Sequence, residues 1–145
     1  MAIGTTGNHH REHAEHNEEV YNYLRQKIDY IDWIITTAFY SAIHYVEFKV
    51  FPFEKSFGPN TFQITSIDIY HEIVGSRKSK HASRSEIVRN KIPECATAYD
   101  DLKSLCQTAR YHDYKHEHPK EIDKKVARHL KKIKKACLSP DPSIT

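Results

Sequence analysis

The sequence predicts an all-α fold, a single-domain bundle of about five helices running up and down, and three observations carry that expectation. Apolar residues recur at three- and four-residue spacing through most of the chain, which is the helical period. Only four glycines occur in 145 residues, three of them outside any periodic stretch, and this disfavours a sheet-rich fold. A chain of this length holds one core of useful size rather than two. Nine tyrosines and six phenylalanines supply much of the area to be buried, since apolar residues as a whole reach only 39%.

Residues 1–8 read as a flexible leader, 9–138 as the bundle and 139–145 as a flexible tail. The first helix is expected from His9 to about Ile28, with Val20, Tyr21, Leu24 and Ile28 on its apolar face. The second runs from about Asp29 to Phe51 and stops at Pro52. Ile31, Ile35, Ala38, Ala42 and Val46 share one side of it, and a helix apolar nearly all round is a central one. At about 100° per residue, Trp33, Thr37, Tyr40 and His44 form a narrow stripe on the other side, extended by Glu47 and Phe51. Buried hydrogen-bonding groups need partners, because each unpaired one costs roughly 1–3 kcal/mol. A bond from His44 to Asp32 or Tyr40 would meet that need.

Residues 52–78 read as a decorated loop over one end of the bundle. Pro52, Gly58 and Pro59 interrupt the periodicity to about residue 66, and Ser66 to Val74 suits a short strand or one to two helical turns, closed by Gly75. Residues 79–91 form the next helix, with His81, Arg84, Val88 and Lys91 on one side and Ile87 beside them. Pro93 fits the first turn of the helix that follows, where its missing N–H is harmless. The apolar face of that helix comprises Cys95, Tyr99, Leu102, Leu105, Cys106 and Ala109. Pro119 opens the last helix, striped by Ile122, Val126, Leu130, Ile133 and Cys137, with acids in the first turn and lysines in the last to match the helix dipole.

The net charge of +3 says little, but its distribution says more. One basic cluster spans residues 120–135, and another comprises Arg77, Lys78, Lys80, His81, Arg84, Arg89 and Lys91. Two such clusters fit a polyanionic partner such as nucleic acid; solvated helix faces are the other reading. Cys95, Cys106 and Cys137, odd in number and widely spaced, fit reduced thiols. There is no apolar run of 18 residues and no signal-like start, so a cytoplasmic protein without a membrane segment is expected.

His16-Asn17, Asp32-Trp33 and Phe39-Tyr40-Ser41-Ala42-Ile43-His44 come in that order. They are followed by His81-x-x-Arg84-x-x-x-Val88, Tyr99-x-x-Leu102 and Ala109-Arg110-Tyr111. This ordered set, over residues 13–115, resembles the HEPN-like (higher eukaryotes and prokaryotes nucleotide-binding) helical-bundle family in its small bacterial form. The resemblance implies an RNA-directed bundle that often forms a homodimer. In many members an arginine and a histidine, four to six residues apart near the end of a late helix, make a metal-independent ribonuclease site. Arg110 and His116 fill that motif. The arginine would brace the phosphate as charge builds, and the histidine would move protons near neutral pH.

On the same resemblance, Trp33, Tyr40, His44, His81, Arg84, Tyr111 and His112 would line or brace the cleft, with no cofactor and no metal. The setting implied is a bacterial toxin–antitoxin, defence or stress system, with an antitoxin or a nucleotidyltransferase as partner. Tyr111 stands where active members usually carry a small polar residue. The alternative is therefore a non-catalytic helical module that binds a nucleotide, a nucleic acid or a partner protein, with Arg110 bonded to the stripe residues or to Asp32 inside the bundle and His116 exposed at a helix end.

A third reading starts from His9, His13 and His16 on one face of the first helix, with His10 adjacent. Completed by His44 or His112, they would make a metal-dependent hydrolase with a histidine-based site. No His-Glu-x-x-His run accompanies them, and ordinary surface histidines explain the spacing equally well. Glycine-rich phosphate loops, nucleophile elbows and Cys-x-x-Cys pairs are absent from the sequence. Cys106, on an apolar face, reads as a small core residue.

Overall fold

Through the middle of the molecule runs α2 (Ile31–Val50), with Ile34, Ile35, Ala38, Ala42, Tyr45 and Val46 inaccessible to solvent. A helix this apolar is stable only when neighbours cover most of its surface. They are α1 (Thr6–Leu24), α5 (Ala96–Tyr111) and α6 (Pro119–Leu138), of which α1 makes the most extensive contact. α3 (Ile67–Val74) and α4 (Lys80–Lys91) pack on each other, and α4 also reaches α5 and α2. The computed structural model describes residues 6–75, 77–115 and 117–140. They are mostly helical, and none of their helices is long and apolar enough to cross a membrane.

The core follows the apolar faces read from the sequence on α2, α5 and α6. Tyr99, Leu102, Cys106 and Ala109 of α5 are buried, as are Val126, Leu130, Ile133 and Cys137 of α6. Cys95, Cys106 and Cys137 are buried free thiols. Polar ties fix the long helices to one another. Arg25, just past α1, grips Asp123 of α6 through two hydrogen bonds of 2.8 Å. Glu18 of α1 accepts from the Tyr45 hydroxyl at 2.6 Å and pairs with Lys134 at 3.0 Å.

Several boundaries and faces differ from the expectation. Thr6, Gly7 and Asn8, read as leader, open α1, while residues 1–5 and 141–145 lie outside the described residues. The helix stops at Leu24, and Ile28 belongs to a separate 3-10 turn, Ile28–Tyr30. Val20 is 37% exposed instead of packed; Ala14 and Tyr21, two turns apart, face α2 in its place. At the other end, Ser139 is not loose: its carbonyl accepts from Lys49 at 3.0 Å, tying the ends of α2 and α6 together.

The larger correction concerns residues 52–78. Instead of a loop, β1 (Phe53–Phe57) and β2 (Asn60–Ile64) form an antiparallel hairpin, with Phe53 opposite Ile64 and Phe57 opposite Asn60. Its turn is Gly58-Pro59, and Gly58 takes a φ of 59°, a conformation that a two-residue hairpin turn asks of its first residue. Phe53 holds the base of the hairpin down: it stacks on Phe51 at 5.9 Å, and the Lys91 ammonium lies 4.2 Å from its ring centre.

The ambiguous stretch after the hairpin is α3. The Ser66 hydroxyl accepts from the Ile69 N–H at 3.1 Å, and Gly75 ends the helix at a φ of 64°. Replacing Ser66 with Ala is expected to lower stability by about 1 kcal/mol, read as a lower midpoint in urea.

Candidate functional site

An open groove of about 530 Å³ lies between three helices. α1 lines it with His13 and Asn17, α2 with Trp33, Thr36, Thr37, Tyr40 and His44, and α5 with Arg110. The stripe on α2 is therefore a groove wall rather than a buried seam. Thr37 satisfies itself by bonding back to the Trp33 carbonyl at 2.8 Å. Tyr40 is satisfied across the groove, where its hydroxyl accepts from Arg110 Nη1 at 2.5 Å.

Arg110 stands where three depressions meet. Besides the groove, it lines a hollow of about 350 Å³ with Asp32, Trp33 and Tyr114. It also lines a narrow one of about 50 Å³ with Phe39, His81 and Lys103. Its guanidinium lies 5.7 Å from the Tyr40 ring centre and 5.3 Å from that of Tyr111. The residue is exposed, and among the described residues no carboxylate forms an ion pair with it. Around it stand uncovered aromatic rings: Trp33 is 57% exposed, Tyr111 69% and Tyr114 59%. A guanidinium with donors to spare fits phosphate oxygens, and exposed rings beside it fit unstacked bases.

At the other end of the groove the histidines pile up. His13 and His44 lie face to face, with ring centres 3.8 Å apart and planes 18° from parallel. His10 stacks on His44 at 5.9 Å, and His9 sits 6.2 Å from His13. Burial, helped by His13, His10, Arg84 and His9, lowers the His44 pKa to about 4. Burial first, then its histidine neighbours and Arg84, lowers His10 as well.

Under the pile lies a buried charge pair. Glu47 of α2 is 7% exposed and Arg84 of α4 is 8% exposed, with Arg84 Nε 3.4 Å from a Glu47 oxygen. His10 Nδ1 lies 3.7 Å from the other oxygen. Burial pushes the Glu47 carboxyl up despite the pull of Arg84. Arg84 Nη1 and His81 Nδ1 are 3.4 Å apart. The Tyr99 hydroxyl is buried and makes no hydrogen bond among the described residues; burial raises its pKa.

Of the expected cleft residues, the structure brings Trp33, Tyr40, His44, Arg110 and Tyr111 together, with His81 at the edge. Arg84 does not line the cleft: Glu47 holds it in the interior. His112 is exposed just past the end of α5 and lines none of the three depressions. His116 lies outside the described residues.

His44 is satisfied by neither Asp32 nor Tyr40; it stacks on His13, and its Nδ1 is buried without a hydrogen bond among the described residues. For the metal reading, no group of three or more ligand-type side chains among the described residues is placed to hold an ion. The imidazoles stack instead of converging on a point. His13, expected only as a metal ligand, and Asn17, expected only as part of the family resemblance, both line the groove. Their spacing with His10, three and then four, marks a polar stripe on α1 facing the one on α2.

The basic clusters differ in kind. In the cluster from Arg77 to Lys91, Lys78 pairs with Glu86, Lys80 with Asp68, Arg89 with Asp100 and Arg84 with Glu47, so little free positive charge remains. On α6, by contrast, Lys120, Lys124, Lys125, Arg128, Lys131 and Lys132 are exposed and in no ion pair among the described residues. Comparisons with protein-family models, with curated proteins and with solved structures found no match to this chain.

Proposed function

We propose that the groove at Arg110 binds RNA and that the protein is a HEPN-like, metal-independent endoribonuclease. The observation that carries this reading is Arg110 itself, an exposed guanidinium tethered by Tyr40, ringed by uncovered aromatics and paired with no carboxylate among the described residues. Such a group binds a phosphodiester through charge-assisted hydrogen bonds, while Trp33, Tyr111 and Tyr114 take neighbouring bases by stacking. The attacking group is the ribose 2′-hydroxyl, so RNA is cut and DNA is not. In this reading α1, α2, α4, α5 and α6 are the five helices of the bundle, and the hairpin and α3 are its decoration. A homodimer places two such grooves in one assembly, and an antitoxin or a nucleotidyltransferase partner would act by covering them. A cytoplasmic toxin–antitoxin, defence or stress system is the setting that goes with it.

The test is incubation of the purified protein with mixed cellular RNA in excess EDTA, beside an Arg110→Ala variant. Cleavage is expected for the parent protein and a loss of at least about 100-fold for the variant, the scale on which transition-state donors act. Because Arg110 is exposed, its melting temperature should stay within about 2 °C. A folded parent protein that neither cuts nor retains RNA would sink the proposal. RNA retained but uncut would favour the non-catalytic module, a reading to which the exposed ring of Tyr111 beside Arg110 already lends itself.

A further inference from the structure

We infer that His13 and His44 are the acid–base pair of this groove, acting on the phosphodiester that Arg110 holds. The inference rests on the RNA reading above and assigns its proton carriers to α1 and α2. Both imidazoles line the same groove as Arg110. Tyr40, which tethers the guanidinium, stands four residues before His44, a rise of about 6 Å along α2. Arg110 and the two histidines thus face one occupant of the same groove.

The stacking geometry suits the reaction. Two nearly parallel rings with centres 3.8 Å apart bring two imidazoles side by side in the groove. Two-metal phosphodiesterases clamp the attacking and leaving oxygens of an in-line displacement with ions about 3.5–4 Å apart. Two imidazoles at the same spacing address the same two oxygens with protons instead of metal charge.

Electrostatics divides the roles. Facing cations in contact repel, so a proton on one ring disfavours a proton on the other. His44 is the inner member, surrounded by His9, His10 and His13 of α1 and Arg84 of α4, with Glu47 already engaged by Arg84 and His10. Burial first, and those neighbours after it, keep it neutral. His13 is the exposed member, open to solvent.

Neutral His44 accepts the proton of the ribose 2′-hydroxyl as the O2′–P bond forms. Protonated His13 donates to O5′ as the P–O5′ bond breaks and its electron pair leaves with that oxygen. The products are a 2′,3′-cyclic phosphate and a 5′-hydroxyl end. One proton enters the pair and one leaves it, and exchange with solvent resets the two rings. No metal or other co-reactant takes part.

The test measures cleavage of a single-stranded oligoribonucleotide in EDTA, its retention on the protein, and the pH profile of the rate. His13→Ala and His44→Gln are each expected to lose about 100-fold or more in rate while still retaining the oligonucleotide. His16→Ala, on the same helix but outside the groove, serves as the control and should cut normally. His13 is exposed, so its variant reports on chemistry even where His44→Gln folds poorly. The pH profile of the rate should change shape in His13→Ala, whose proton donor is gone. Full cleavage by His13→Ala, with loss in His116→Ala, would overturn this inference and leave the ribonuclease reading intact. A folded parent protein that cuts no RNA overturns both.

Discussion

Replacing Arg84 with methionine is expected to destabilise the protein by about 3–5 kcal/mol at neutral pH, the usual effect of orphaning a buried charge. Methionine fills much of the volume but leaves the Glu47 carboxylate, 7% exposed, with only His10, at 3.7 Å, as an ion-pair partner among the described residues. Urea denaturation at pH 7.5 measures the loss, and a change under about 1 kcal/mol would show that water reaches Glu47 freely. The sign of the pH dependence follows from the same group. Burial already raises the Glu47 carboxyl, and Arg84 is the neighbour that opposes the rise. Without Arg84 the carboxyl rises further, takes up a proton earlier as pH falls, and ceases to be a buried charge. The deficit should therefore shrink between pH 7.5 and pH 5. Adding Glu47→Gln should recover part of it at pH 7.5, because an amide costs less to bury than an unpaired carboxylate.

Acid should weaken the parent protein well above the pH at which surface carboxylates titrate. Burial lowers His10, His44, His81 and His129 in the folded state, and His44 falls to about 4. Above pH 6.5 these rings are neutral folded or unfolded, and they contribute no pH dependence. Below it the unfolded chain binds protons that the folded chain refuses, so stability falls with pH until about pH 4. Taken in full, the His44 shift corresponds to roughly 3 kcal/mol, but the ring borders an open groove and solvent screening reduces this to about 1–2 kcal/mol. Glu47, with its raised carboxyl, works in the opposite direction at the low end of the range. Thermal melts at pH 7.5, 6.5, 5.5 and 4.5 trace the curve, and His44→Gln should flatten it. A melting temperature constant from pH 7 to pH 5 would mean that the stacked imidazoles take up protons without parting.

Local sequence carried the helices and left out what joins them. α2 was legible because twenty residues without a breaker leave a helix few ways to be anything but central. The hairpin was missed because its strands are five residues each and lie mostly exposed, so the two-residue alternation that marks a half-buried strand is faint. Val20 misled because part of the α1 interface is polar: Glu18 meets Tyr45 and Lys134 where an apolar residue would be looked for. Arg84 read as one member of a basic run, and only Glu47, 37 positions earlier, explains its burial. The bond between Tyr40 and Arg110 spans 70 residues, and it is the tie to the stripe that the non-catalytic reading expected. The polar stripe on α2, read from helical spacing alone, becomes a wall of the groove.

The chain has a single tryptophan, Trp33, on the rim shared by the groove and the hollow beside it. All indole emission therefore comes from one ring, and that ring is still largely hydrated. A base stacking on it, or a second chain covering it, would change the intensity or colour of the emitted light. The molecule carries its own optical probe at the place where an occupant would arrive. Candidate ligands can be ranked by titration on the unlabelled protein, before any activity has been assayed.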